Sequence, residues 1–278
     1  MRKLALTVGL LLMVACGDDA TDALSETAAN LEEITSGDLA MSFVVSSEGS
    51  VGEAETGFEL HGPFALPEEE GELPTASIVY TRLAGDEEAS VTFISTGEAA
   101  YVDLDGTVYE LPPENVEELS GASSSSEEGI FGDINLGDWM QDPEISDGPD
   151  VQGASTDLIR SDLDAVEAFN DLIGIAESFA GGDVGLPLIE GSSAEQLENA
   201  VEEATIELYT GTEDRYLRRL VVDVDFGIKD RAGAPENLSQ LAGARMSVEM
   251  EIADPNGEVT VEEPEDALPY TELPTGTG

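Results

Sequence analysis

Residues 216–228 read YLRRLVVDVDFGI, and the reading of that alternation decides the fold. A period of two places Tyr216, Arg218, Leu220, Val222, Val224 and Phe226 on one face of a strand. Arg219, Val221, Asp223 and Asp225 take the other. One face is apolar and the other mostly charged, as in a strand with a core on one side and water on the other. Arg218 enters the apolar face near its start. It either snorkels or pairs at the strand end, or it stands at the mouth of an apolar cavity and holds an anionic headgroup.

The same period recurs outward from this stretch. Toward the C-terminus, ARMSVEMEIAD puts Met246, Val248, Met250 and Ile252 on one face; a turn at Asp254–Gly257 and a further strand, EVTVEEP, follow. Toward the N-terminus come TIELYTG, then AAYVDLDGTVYEL, where Asp105-Gly106 between alternating runs predicts a tight primed hairpin. SVTFIST, SIVYTRL, Phe58 with Leu60, and DLAMSFVVSS with Leu39, Met41 and Phe43 complete the series.

Helical spacing is confined to three places. Leu24, Ala28, Leu31 and Ile34 share a face over 22–34. Asp164 with Glu167, and Ser193 with Gln196, have capping-box spacing. They predict helices over 164–179, with Leu172, Ile173, Ala176 and Phe179 as the stripe, and over 194–203. LSGASSSSEEG at 119–129 reads as an exposed loop. Many antiparallel strands with two or three helices make an α+β chain without βαβ units.

The N-terminus speaks to compartment. Arg2 and Lys3 precede an apolar run, Leu4 to Val14, too short to span a bilayer and suited to a signal peptide over 1–15. Met13-Val14-Ala15-Cys16 resembles a bacterial lipobox and holds the chain's one cysteine. Cleavage before Cys16 and acylation of it would anchor the protein to the outer face of the cytoplasmic membrane. Residues 16–21 then read as a lipidated cysteine and polar tether, and 264–278 as a flexible tail.

Charge excludes a class of partners. Sixty-one acidic residues against ten lysines and arginines give a net charge of −51. Such a surface is repelled by nucleic acid and by anionic lipid surfaces. The chemistry of catalysis is equally thin: one histidine, His61, no nucleophile elbow, no phosphate-binding loop and no cysteine metal pattern. The residues therefore point to no catalytic group, no metal and no cofactor.

Several stretches in order resemble the actinobacterial lipoproteins of the LppX/LprG type, which share a fold with the carrier LolA and the receptor LolB. They are LEEITSGDLAMSF, GPFALP, STGEAAYVDLDGTVYELP, LGDWMQDPEISDGPDVQGASTDLIRSDLD and TIELYTGTEDRYLRRLVVDVDF, following the lipobox. The resemblance implies a strongly curved antiparallel sheet, an incomplete β-barrel, wrapped around two or three helices in one domain over 22–263. It also implies an apolar cavity that binds the acyl chains of lipids or lipoglycans and carries them through the envelope, with a transporter or envelope protein as possible partner. Leu39, Met41, Phe43, Leu172, Phe179, Leu220, Val222, Val224, Phe226, Met246, Val248 and Met250 are the candidate cavity residues. Periodicity does not separate a cavity from a closed dry core of the same residues. An adaptor or sensor with a filled interior, acting through protein contacts, is the alternative.

Overall fold

A computed structural model describes residues 16–49, 52–67, 71–85, 87–123, 131, 134–168, 170–171, 200–227 and 243–273. The signal segment 1–15, Leu172, Phe179 and most of the predicted 194–203 helix lie outside them.

The described chain opens with a helix, α1 (Cys16–Glu32), and then builds six strands: β1 (Ser36–Gly49), β2 (Gly52–Ala65), β3 (Thr75–Ala84), β4 (Glu87–Thr96), β5 (Ala100–Leu104) and β6 (Thr107–Glu110). Helices α2 (Pro113–Ser123) and α3 (Leu136–Trp139) lead to β7 (Met140–Asp147) and β8 (Thr156–Leu163). Then come β9 (Val201–Gly211), β10 (Leu217–Phe226), β11 (Ala244–Ala253) and the short β12 (Leu268–Pro269). All twelve form one curved, unclosed sheet in the order β12-β6-β5-β4-β3-β2-β1-β11-β10-β9-β8-β7. Every pairing is antiparallel except β12 on β6.

Two glycines let neighbouring strands approach closely. A Cβ at Gly57 would lie 1.9 Å from the Phe43 carbonyl oxygen, and one at Gly62 (φ +140°) 2.0 Å from that of Ser77. Only glycine permits those close approaches between neighbouring strands. The Asp105-Gly106 turn has φ of 52° and 81°, as the primed hairpin requires.

On the concave side, α1 lays Ala20, Ala23, Leu24, Thr27 and Leu31 against the sheet, all buried. The Thr27 hydroxyl donates to the Ala23 carbonyl and meets the buried Thr210 hydroxyl of β9 at 2.8 Å. Arg215 reaches Asp157 of β8 and Glu26 of α1, pinning the helix to the sheet.

Five expectations change. Residues 16–21 belong to α1 rather than forming an extended tether. Residues 119–123 complete α2 instead of starting a loop. Residues 201–203 belong to β9, since Val201 pairs with Phe226 and Glu203 with Asp225. EVTVEEP keeps its alternation of half-buried Val259 and Val261 but forms no ladder. Both edges of β11 are taken, by β1 and β10, so a hairpin partner has nowhere to pair. The segment after Pro264, expected to be loose, adds β12 to the sheet.

Candidate functional site

The concave face is one continuous apolar surface, but its burial is uneven. Across β8 to β11 it is sealed: Ile159, Ile206, Leu208 and Val222 are fully buried, as are Leu220, Val224, Phe226, Met246, Val248 and Met250 to within a few per cent. Leu39 and Met41 of β1 are buried beside them, through the pairs Leu39–Ile252 and Met41–Met250. Toward β3 and the β1–β2 hairpin tip the same face opens. Phe43, Val45, Phe58 and Ile78 are half-buried, and Tyr80 is 38% exposed.

Aromatic rings mark the open region. Phe43 stacks on Phe58 with centroids 5.6 Å apart and planes 14° from parallel, and Phe58 on Tyr80 at 6.1 Å and 25°. This ladder crosses β1, β2 and β3 because Phe43 and Phe58 are direct partners and Tyr80 is diagonal to Phe58. At the sealed end Phe64 meets Phe131 edge-on at 6.1 Å, closing the face there. An acyl chain could lie on such a surface, which has apolar contact on one side and access on the other.

A second concavity has opposite character. Between α1, β7 and β8 a cleft of about 470 Å³ is lined by Asp19, Asp22, Glu26, Asp147, Asp157 and Arg215 among others. Acyl burial gains nothing there. Among the described residues no cluster of three or more His, Cys, Asp or Glu side chains is arranged to hold a metal ion. No described helix is long and apolar enough to cross a membrane.

The convex face spends its scarce cations on carboxylates. Arg160 pairs with Glu207 directly across β8 and β9, Arg219 with Glu249 at 2.8 Å, and Arg245 with Asp225 through two bonds of 2.9 and 2.8 Å. Arg219 also lies 5.7 Å over the Tyr209 ring. The Tyr209 hydroxyl donates to Glu207 at 2.6 Å and, with Arg160, holds that carboxyl below its ordinary range. Burial first, then this bond, pushes the Tyr209 phenol up. The Arg245 hydrogen bonds hold Asp225 down.

The Arg218 side chain is largely buried and pairs at the strand end, one of the readings left open for it. A bulge between Leu217 and Arg219 gives β10 one extra residue, so fully buried Leu217 takes the inward place opposite Thr210. The Arg218 guanidinium bonds instead to Asp214 in the β9–β10 turn, at the end where Leu39 and Ile252 pair. His61 is exposed on the convex side of β2.

The open residues Phe58, Ile78 and Tyr80 were missing from the sequence-derived set. Their signal was the alternation in SIVYTRL, which runs Ile78, Tyr80, Arg82 on one face. Alternation assigns a face and is silent on how far that face is covered.

No family model and no curated protein sequence matches the chain. Among solved structures it is similar to LprF from Mycobacterium bovis, with a TM-score of 0.43 and 13% identity over 90% of this chain and 98% of that one. It is similar to the Mycobacterium tuberculosis lipoprotein LppX at a TM-score of 0.39 and 11% identity, over 88% and 99%. A LolA superfamily protein from Nitrosomonas europaea aligns at 0.20 and 8%, over 84% and 94%.

Proposed function

We propose that the protein is an extracytoplasmic lipoprotein, acylated at Cys16, whose domain over 22–263 binds the acyl chains of lipids, lipoglycans or similar amphiphiles and carries them through the cell envelope. It acts by binding alone, without covalent chemistry. The observation that carries this reading is the half-open Phe43–Phe58–Tyr80 ladder, continuous with the buried concave face. Each methylene taken from water contributes about 0.8 kcal/mol, so ten methylenes supply roughly 8 kcal/mol before the cost of ordering the chain. Affinity of that kind needs no ligand motif, in keeping with the lack of one in the sequence.

The test is organic extraction and mass spectrometry of the protein purified from a lipid-producing host. Lipid in roughly equal proportion to protein is expected, together with uptake of a fluorescent acyl probe. Tyr80→Glu, which puts a charge on an exposed rung of the ladder, should fold and take up several-fold less. No extracted lipid and no probe uptake would overturn the carrier reading in favour of the adaptor with a filled interior.

A further inference from the structure

Arg82 stands apart from every other arginine among the described residues. Arg160, Arg215, Arg218, Arg219 and Arg245 each reach a carboxylate. Among the described residues Arg82 makes no ion pair. The register shows why. On the convex face Arg160 has Glu207 opposite it, Arg219 has Glu251 and Arg245 has Asp225. The direct partners of Arg82 are Phe58 on β2 and Ala89 on β4. Direct partners point to the same side of a sheet, so Arg82 shares the concave face with Phe58 and with Tyr80 two residues before it. It is exposed and lies in the row of Phe43 and Phe58. Glu87, opposite Ala84 on the same face, is also exposed and makes no ion pair with it.

We propose that Arg82 is the headgroup contact of this face: the amphiphile is an anionic one, its phosphate- or carboxylate-type group held by Arg82 and its chains laid along Phe43, Phe58 and Tyr80. This rests on the acyl-binding reading and narrows it to a substrate class. A guanidinium presents a planar fork that accepts two oxygens of such a group at once. The net charge of −51 does not forbid it, because carboxylates beyond a Debye length of about 8–10 Å are largely screened at physiological salt. The local pairing decides, and among the described residues the arginine without a carboxylate partner is the one beside the rings.

The experiment compares two fluorescent probes with identical acyl chains, a phosphatidylglycerol and a diacylglycerol, offered from vesicles to the full chain and to Arg82→Ala and Arg82→Lys. The exposed position leaves folding intact, as circular dichroism will show. The expected result is preferential uptake of the anionic probe by the parent chain. Arg82→Ala should lower that uptake about tenfold, the range of one charge-assisted contact, and leave diacylglycerol uptake unchanged. Arg82→Lys should keep part of the preference, and millimolar inorganic phosphate should leave uptake in place. Equal uptake of both probes, unchanged in Arg82→Ala, would overturn the headgroup assignment while leaving acyl binding standing. Displacement by phosphate alone would reassign Arg82 to a free anion and likewise overturn it. Failure of both probes to bind any variant would overturn acyl binding, and the assignment with it.

Discussion

At the scale of single residues, Tyr101 links the end of the chain to the sheet. It is 2% exposed and its hydroxyl donates to Glu263 at 2.8 Å. Burial, then that bond, pushes the phenol from its ordinary value of 10 up to about 12. The folded state thus favours the protonated phenol. The associated stability is fully present below pH 10 and is lost as pH rises through about 12. Tyr101→Phe should lack this alkaline loss, so the difference in stability between parent and variant should shrink across that window. Chemical denaturation at a series of alkaline pH values measures it, and a difference that stays constant would show that the bond does not govern the titration. Arg82 and Arg218 illustrate the limits of reading at this scale. The alternation in β3 keeps Arg82 in phase with Ile78 and Tyr80, whereas in β10 it is interrupted beside Arg218 by a bulge, which has no composition of its own.

At the scale of elements, the close approach of β2 to β1 depends on Gly57. Gly57→Ala drives a methyl group into the Phe43 carbonyl of β1 and should cost about 1–3 kcal/mol in urea denaturation. A variant as stable as the parent would show that the strands part there without penalty. The long strands were legible wherever one face met the core: β1, β3, β10 and β11 lie within a residue or two of where their alternation places them. β7 was not, because Pro143, Asp142, Glu144 and Asp147 break its pattern, and a sheet edge tolerates all four. The stretch 258–264 failed in the opposite way: it has the pattern of a strand and no vacant edge to join. Local period fixes the face of an element, whereas pairing depends on which edges the rest of the chain has already filled. The buried part of the candidate site, Leu39, Met41, Leu220 and Val222, was legible for the same reason as the strands. Its open part was not, since exposure is a property of curvature and covering.

At the scale of the whole molecule, a charge of −51 opposes compaction. The pairs Arg160–Glu207, Arg219–Glu249 and Arg245–Asp225 offset this only locally. Stability should therefore rise with salt. Between about 0.1 and 1 M the Debye length falls from ~10 to ~3 Å, and the Tm followed by circular dichroism should climb by several degrees. A flat or falling Tm would mean that the surface ion pairs outweigh the general repulsion.

The open sheet has a mechanical consequence. Its two ends, β7 and β12, have no ladder joining them. A closed barrel can widen only by breaking hydrogen bonds or adding a strand, which fixes its bore in steps. An unclosed sheet can change the width of its concave face by flexing while every rung between neighbouring strands stays made. For the proposed carrier the tolerated size of guest would then be a matter of stiffness, graded rather than quantised.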